Sequence, residues 1–456
     1  MFFFLKKANI KTSLINLLFS LIPISFIAGN LILNLNILFF VIFTIFFYGK
    51  EVFKIRFNNT DKLIITFFSY VLLAGFLNNF FLKDEDIFPN NIIIFKTIFY
   101  LRFLLLYLVI RILIEKNIIN FNLFLVICST CTYFICLDLI YQFNYGKDIF
   151  GFTSNDPRRI AGPFGDELIA GSYLQRFAIF TFFLILSLFN NKNKIFLLLC
   201  LFSTFILIFV SLVIAGNRIP LILFLMLIFC VFSFNEVMRK YLLVLIISAI
   251  MILGVSSSLN PNIKHHFSHF NLKVIEFVDF ISAITIKDKK NKVSSPEHHV
   301  PGQYEINVNG KLVKFPNVYV KEFYSGYQTW KKNKLIGGGI KSFRKNCQNS
   351  GKSFNILNCS THPHNYYLEI LSELGIIGFV LLIIIFFKAF FDSLKKGISN
   401  FNSKANNIII PFMFLFFLEI FPIRSTGSFF TTGNATYIFL VMTITIALSH
   451  STGKKI

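Results

Sequence analysis

Apolar runs of about 20 residues recur along the whole chain, and they constrain its fold more than any other feature of the sequence. A helix of that length crosses the hydrocarbon layer of a membrane, which is about 30 Å thick. The chain has 456 residues, of which 55% are hydrophobic and 63 are Phe. A soluble core of this size neither needs nor hides so many phenylalanines. The runs therefore predict an all-α integral membrane protein.

Twelve transmembrane helices follow from the positions of the runs. They are predicted at 13–29, 31–48, 63–81, 92–114, 118–141, 168–189, 195–215, 219–235, 241–258, 366–390, 406–423 and 434–450. The first nine lie in residues 1–258 and the last three in 366–456, which leaves 259–365 as one large polar loop between helices nine and ten. Inside this loop, the alternating stretch Tyr304–Val313 predicts a hairpin that turns at its Asn-Gly pair.

Lysine and arginine mark alternate loops and thereby predict the orientation. The even-numbered loops and both termini are basic, as at Lys50 and Arg239, whereas the third loop is acidic, as at Asp84. Cytoplasmic loops are enriched in Lys and Arg. Both termini are therefore predicted to be cytoplasmic, and the loops 142–167 and 259–365 to face the outside.

The net charge of +22 has a simple explanation in such a chain. In a soluble protein it would indicate a nucleic-acid partner. Here the basic loops fix the orientation and attract anionic lipid head groups. We therefore predict contact with membrane lipids and no nucleic-acid partner.

The cysteines fall into two classes. Five of the seven lie inside predicted spans, where a thiol is a small apolar side chain. Among these, Cys128 and Cys131 have the spacing of a metal or redox pair, but no histidine lies nearby. Cys347 and Cys359 instead lie in the large outer loop, in a compartment that permits disulfides. They are predicted to form a disulfide, which stabilises a fold by about 2–4 kcal/mol in the chain-entropy model.

The segment from Thr361 to Gly378 is the most informative part of the sequence. Ser360 or Thr361 is expected to cap a helix with Pro363 in its first turn, which places His364 at the outer mouth of span ten. A neutral histidine there can act as a general base. The alternative is a histidine that only anchors a helix at the interface, and helical periodicity alone favours that alternative.

Several arginines lie on the predicted outer side, against the orientation rule. They are Arg158, Arg159, Arg218, Arg344 and Arg424. Guanidinium groups bind phosphate and diphosphate bidentately. A single arginine at the interface also snorkels to lipid head groups, but several on one side favour a diphosphate site.

Charged residues are also predicted within the membrane, where a charge is costly and faces a cavity or a partner. They are Lys96, Arg102, Asp138, Arg176 and Glu419. Functional groups and structural ion pairs both remain open for them at this point.

Three stretches of the sequence resemble one protein family. His364-Asn365, nine residues, and then Gly375-x-x-Gly378 resemble the signature of the O-antigen ligase and O-antigen polymerase superfamily, and Tyr324–Phe343 resembles its segment that ends in a glycine-rich turn. The resemblance extends to Arg158, Arg218 and the run around Arg424, and its motifs cover about residues 200–435.

This resemblance implies a GT-C-like glycosyltransferase of the bacterial inner membrane, with its large loop and active site in the periplasm. Such enzymes take a glycan from undecaprenyl diphosphate and are generally described as needing no cofactor and no metal. By resemblance, His364 activates the acceptor hydroxyl for an inverting attack and Arg218 binds the diphosphate. Further candidates for binding the diphosphate or the glycan are Arg158, Arg159, Arg344, Arg424 and Asn365. Lys314 and Lys321 occupy the region where family members often carry another arginine.

Several functions remain open from the sequence. A ligase passes the glycan to a sugar of lipid A core, whereas a polymerase passes it to a second carrier-linked glycan; the ligase is the favoured prediction. A transporter or flippase predicts two similar halves, and no such similarity is found. A scaffold subunit predicts that the outer arginines and His364 are dispensable.

Overall fold

The computed structural model describes residues 9–52, 57–81, 91–154, 159–189, 194–259, 305–308, 311–314, 318–350, 359–399, 408–422 and 427–450. In chain order the helices are α1 (Ile10–Ser20), α2 (Ile22–Ile27), α3 (Asn30–Val52), α4 (Asn59–Phe80), α5 (Ile92–Tyr100), α6 (Arg102–Glu115), α7 (Phe121–Tyr145), α8 (Ala170–Phe177), α9 (Ile179–Phe189), α10 (Lys194–Ile214), α11 (Arg218–Ser233), α12 (Glu236–Arg239), α13 (Leu242–Leu259), α14 (Val318–Lys332), α15 (Phe343–Ser350), α16 (Tyr366–Ser399), α17 (Ile409–Glu419) and α18 (Thr432–His450). The strands β1 (Glu305–Val308) and β2 (Lys311–Lys314) precede α14.

The helices fit an integral membrane protein. Among the described residues, nine helical segments are long and apolar enough to cross a membrane. Three shorter apolar helices, Arg218–Ser233, Leu242–Ser256 and Ile409–Glu419, lie where spans eight, nine and eleven are predicted. The all-α membrane class is therefore confirmed. The total of twelve spans and the side on which each loop lies stay predictions.

Three of the predicted spans are each divided into two consecutive helices. The breaks fall at Leu21, Leu101 and Ala178. Pro23 lies in the first turn of α2, where its missing N–H costs nothing. At the second break, the N–H of Leu101 donates to the carbonyl of Ile98, three residues earlier, at 3.0 Å, which tightens the turn. Hydrophobic runs report total length but do not report such breaks.

The phenylalanines form the core between the helices. On α17, the ring centroid of Phe412 lies 4.9 Å from that of Phe180 on α9 and 5.7 Å from that of Phe121 on α7. Phe103 stacks on Phe439 at 5.6 Å and joins α6 to α18. Such aromatic pairs add about 0.5–1.5 kcal/mol each beyond the area that they bury. They bring the last two helices into the centre of the bundle.

The antiparallel pairing of the two predicted strands is confirmed. β1 and β2 pair antiparallel from Glu305 opposite Lys314 to Val308 opposite Lys311. The Asn-Gly pair at 309–310, where the turn is predicted, lies outside the described residues.

The long helix α16 is broken at Gly375, whose φ is 66° and ψ is −171°. Residues 334–339, here called the strap, lie across this break. The N–H of Gly338 donates to the carbonyl of Ser372 at 3.0 Å, and the N–H of Gly339 donates to that of Glu373 at 2.8 Å. Beyond the break, the N–H of Ile376 donates to the carbonyl of Lys334 at 2.9 Å. The strap thus satisfies backbone groups that the break would leave without partners.

Glycine is required on both sides of this contact. A Cβ on Gly375 would overlap the backbone of Leu335, and one on Gly337 would lie 2.5 Å from the backbone nitrogen of Leu374. The dihedral angles of Gly375 also belong to a region that is essentially restricted to glycine. The glycine-rich turn and the signature glycine, which lie far apart in the sequence, are therefore two halves of one backbone contact.

We predict that Gly375→Ala strongly lowers the melting temperature, because it adds a backbone strain of about 1–3 kcal/mol and a clash with the strap. Trp330, the one tryptophan of the chain, donates its indole N–H to the carbonyl of Lys334 at 3.1 Å. Its fluorescence during heating therefore reports on the strap directly.

Gly397→Ala, on the same helix, is the matched control. The new Cβ would meet Met413 at an ordinary 3.8 Å, and alanine favours a helix over glycine by about 0.5–1 kcal/mol. Its melting temperature should be unchanged or slightly raised. Equal melting temperatures of the two variants would contradict the role given to Gly375.

Candidate active site

His364 lies immediately before α16 and is not part of it. Its φ of 51° is left-handed, and the helix begins two residues later at Tyr366. The cap is Asn365, whose side-chain oxygen accepts from the N–H groups of Tyr367 at 3.0 Å and Leu368 at 3.1 Å. The predicted caps, Ser360 and Thr361, are therefore wrong: asparagine stands one residue before the helix and satisfies its first donors.

The imidazole of His364 faces a carboxylate that the sequence analysis missed. Its Nε2 lies 3.5 Å from Oε2 of Glu322 on α14, and the two side chains are 28% and 6% exposed. The close approach of α14 depends on Gly326, where a Cβ would stand 2.9 Å from Pro363. Glu322 is the one acidic residue in the basic, aromatic segment 318–332, and this was the sequence signal that could have identified it.

Burial shifts the pKa values of this pair in opposite directions. It lowers the pKa of His364 and raises that of Glu322 to about 7, the second shift being opposed by a hydrogen bond from Ser360. Desolvation disfavours the charged form of each group. Near neutral pH the imidazole is therefore uncharged and Glu322 titrates. The pair is suited to take up one proton from a substrate hydroxyl.

A second histidine, His362, stacks beside His364 with ring centroids 4.2 Å apart. Its Nδ1 lies 2.9 Å from the hydroxyl of Thr361, and the hydroxyl of Ser360 donates to its carbonyl at 2.6 Å. Burial, followed by the charge of His364, lowers the pKa of His362 to about 4. His362 thus presents a neutral ring to His364. The short spacing of the two histidines was its signal in the sequence.

A disulfide ties down the segment that leads to His364. Cys347, on α15, and Cys359 are bonded, with their Cα atoms 5.5 Å apart. The bond links α15 to residues 359–365. Among the described residues the other cysteines are free, and Cys128 and Cys131 are buried.

Two buried glutamates attach loops to α16. Glu373 accepts from the N–H groups of Lys341 at 2.6 Å and Phe343 at 3.3 Å. Glu369, one turn earlier, accepts from the Ser428 hydroxyl at 2.5 Å and the Phe429 N–H at 2.6 Å. Each carboxylate satisfies backbone donors in its loop, as buried polar groups require. Two acids four residues apart in an apolar span indicated this role, and the sequence analysis overlooked it.

Arg176 and Glu419 form an ion pair inside the bundle. Nη2 and Nε of Arg176 lie 2.6 Å and 3.3 Å from the two carboxylate oxygens of Glu419, and Nη2 also donates to Asn434 at 2.7 Å. The hydroxyl of Tyr366, at the start of α16, donates to the same carboxylate at 3.2 Å. Each of these two charges therefore has the other as its partner inside the bundle.

The other charges within the bundle also have partners. Lys96 donates to the carbonyl of Lys341 at 3.3 Å, and Arg102 donates to the hydroxyl of Thr432 at 3.0 Å. Asp138 accepts from the N–H of Ile149 at 2.8 Å, which holds the following loop on α7.

The described arginines among the predicted ones lie in two places. Arg344 is exposed on the first turn of α15, the helix that the disulfide joins to the His364 segment. Arg218 opens α11, and its neighbour Asn217 donates to the carbonyl of Leu168 at 3.2 Å. This places Arg218 beside the loop that contains Arg159, which is partly buried. Arg158 and Arg424 lie outside the described residues.

A cavity of about 590 Å³ lies beside α2, α8 and α18. Three turns line it: the one between α2 and α3, the segment before α8 and the segment before α18. Arg176 and Asn434 contribute to its wall. His364 and Arg218 are not among its described lining residues. In the part of the chain that the structure describes, no three His, Cys, Asp or Glu side chains come together to hold a metal ion.

We predict that reduction of the Cys347–Cys359 bond lowers the melting temperature. The bond restricts the conformations of the unfolded chain and thereby stabilises the folded state by about 2–4 kcal/mol. Trp330 fluorescence during heating, with and without dithiothreitol, measures this change. The double variant Cys347→Ser, Cys359→Ser should melt at the reduced temperature in both conditions. A wild-type melting temperature that dithiothreitol leaves unchanged would contradict the stabilising role.

Comparison with known protein families gives a match that spans most of this site. A family model described as O-antigen ligase matches residues 203–383, from α10 into α16. No curated protein matches the chain significantly. The resemblance to the O-antigen ligase and polymerase superfamily is thereby confirmed. The matched region contains Arg218, Glu322, both cysteines of the disulfide, His364 and the break at Gly375, whereas Arg158, Arg159 and Arg424 lie outside it.

Proposed function

We propose that this protein is an O-antigen ligase-like glycosyltransferase of the bacterial inner membrane. It moves a glycan from undecaprenyl diphosphate to a sugar hydroxyl of lipid A core at the periplasmic face. The family match over residues 203–383 supports the superfamily, and the apolar helices support the membrane location. Both termini are cytoplasmic in this proposal, as the basic loops indicate.

The observation that carries the proposal is the His364–Glu322 pair. The imidazole is 28% exposed, so that a substrate hydroxyl can reach it, whereas the carboxylate beside it is 6% exposed. An acceptor hydroxyl is a weak nucleophile until a base removes its proton during the attack. His364 is this base, and Glu322 stabilises the imidazolium that forms.

The transfer then proceeds in one displacement. The acceptor oxygen bonds to the anomeric carbon while its proton passes to His364. The bond from that carbon to the diphosphate oxygen breaks, its electron pair leaves with undecaprenyl diphosphate, and the configuration inverts. Arg218 neutralises the leaving diphosphate, assisted by Arg158, Arg159, Arg344 and Arg424. Guanidinium groups offer paired donors to phosphate oxygens, so this scheme needs no metal and no cofactor.

A polymerase is the alternative within the same family, with a second carrier-linked glycan as acceptor. It would use the same base and the same diphosphate site, so the residues named here serve both reactions. A transporter of lipid-linked glycans has less support, because it gives no role to a base beside a buried carboxylate.

We predict that His364→Ala and Arg218→Ala each abolish glycan transfer while membrane levels of the protein stay normal. The first variant lacks the base, and the second lacks the main partner of the leaving group. Lipopolysaccharide gels of a deletion strain that carries each variant measure the transfer. His450→Ala and Arg239→Ala are matched controls that should transfer normally. In the proposed topology both residues lie at the cytoplasmic ends of spans, away from His364 and Arg218. Normal transfer by both His364→Ala and Arg218→Ala would refute the proposal.

The same gels separate the two family activities. A core that lacks all glycan, with long carrier-linked polymer accumulating, indicates a ligase. A core that carries a single repeat unit indicates a polymerase.

We predict that Glu322→Gln slows transfer about tenfold or more and changes its pH dependence. The pKa of Glu322 is raised to about 7, so its negative charge is present above that pH and is lost as the pH falls. The wild-type rate should therefore fall between about pH 8 and pH 6. In Glu322→Gln this fall should be absent, because the amide has no charge to lose.

Initial rates with purified protein and carrier-linked donor, measured across this pH range, test the role of Glu322. Glu305→Gln, in the hairpin of the same loop, serves as a control and should keep the wild-type profile. An unchanged rate and an unchanged profile in Glu322→Gln would contradict the pairing with His364.

A further inference from the structure

We propose that the cavity bounded by α2, α8 and α18 is a sugar-binding subsite, which holds the uncharged rings of a substrate glycan. This proposal rests on the proposed function, because it names what the transferase binds there. The volume of about 590 Å³ lies within the range of about 300–1,000 Å³ that is typical of small-molecule sites.

One wall of the cavity is a continuous row of aromatic rings. The ring of Phe26 lies 5.5 Å from that of Phe177, which lies 4.7 Å from Tyr173, which in turn lies 5.7 Å from Phe164. All four line the cavity. A sugar ring presents C–H bonds on its faces, and flat aromatic rings bury such faces well. The wall thus offers the apolar half of a sugar site.

The remaining wall offers hydrogen-bonding groups of both kinds. They are Asn30, Glu167, Ser172 and Thr431. Amides and hydroxyls both donate and accept, and a carboxylate accepts. Such a mixture suits hydroxyl groups, each of which donates one hydrogen bond and accepts others.

The charge of the described lining favours a neutral ligand. Arg176 is the cation among the described lining residues, and Glu419 neutralises it at 2.6 Å. Glu167 adds a negative charge. A diphosphate needs several uncommitted cationic donors, so these residues select the sugar part of the substrate rather than its diphosphate.

The turns that frame the cavity keep it open. At Gly29 and Gly165, both with positive φ, a Cβ would find nothing within 4 Å. Glycine permits these backbone angles and leaves the space beside both turns free of side chains.

Hydrogen bonds connect the cavity to the start of α16, next to His364. Asn434, in the wall, accepts from Arg176, which is bonded to Glu419. Glu419 in turn accepts from Tyr366, two residues after His364. A sugar bound in the cavity is thus held against the same network that fixes the start of α16. The cavity therefore serves to position a glycan for transfer.

Saturation-transfer difference NMR tests this proposal on the purified full-length protein in detergent. Two probes are used: the glycan released by mild acid from the carrier of the source cells, and the oligosaccharide released from lipid A core. Binding of the first assigns the cavity to the donor glycan, and binding of the second assigns it to the acceptor. Neither probe carries the carrier diphosphate, so a positive signal reports on sugar recognition.

Ser172→Phe fills the cavity from α8, and Gly433→Leu fills it from α18. The Cβ at Gly433 would have ordinary space, with its nearest atoms 3.8 Å away. Both variants should reduce the sugar signal at least fivefold. Ser187→Phe is the matched control: it lies at the far end of the same predicted span, at an exposed position, and should bind normally. Trp330 melting curves confirm that each variant is folded.

His364→Ala separates this proposal from the proposed reaction. It should bind the sugar normally and fail to transfer it. If His364→Ala both binds the sugar and still transfers it, the role of His364 as the base is refuted, whereas the sugar subsite is not. Binding unchanged in folded Ser172→Phe and Gly433→Leu, or absent from the wild type with both probes, would overturn the subsite.

Discussion

The backbone contact between the strap and the break at Gly375 is the constraint on which the rest of this site depends. Gly338 and Gly339 donate to carbonyls just before the break, and Ile376, just after it, donates back to the strap. Backbone groups within a membrane need such partners, because lipid offers none. The strap also fixes the end of α14, the helix that carries Glu322. The geometry of the proposed base therefore follows from a contact made by glycines.

Buried carboxylates extend this arrangement to the other loops. Glu369 and Glu373 lie one turn apart on α16 and receive N–H groups from two different segments, one before α15 and one before α18. Glu419 accepts hydrogen bonds from two side chains, the guanidinium of Arg176 and the hydroxyl of Tyr366. These three buried acids thus satisfy polar groups away from water. The loops before α15 and α18 are therefore held on α16 by these hydrogen bonds.

Sequence patterns predict the helices well because hydrophobic runs and membrane thickness leave few other solutions. The hairpin and the family resemblance also follow from local signals. The signature identified His364, Asn365 and Gly375, whereas Glu322 was missed because its partner is distant in the sequence and no local pattern joins them. The helix cap was misplaced because Ser360 and Thr361 hydrogen-bond around His362 instead. The sequence therefore predicts the helices and strands, but it does not predict the contacts between segments that are far apart in the chain.

The strap and the break also have a consequence for how this protein can vary. A side chain added at Gly375 would collide with the backbone of the strap, and one added at Gly337 would collide with the backbone of α16. A side chain added in either segment therefore needs a compensating change in the other. Chimeras between related proteins must therefore carry residues 334–339 and 373–378 together. A junction placed between them would join a strap to a helix break that was shaped for another partner.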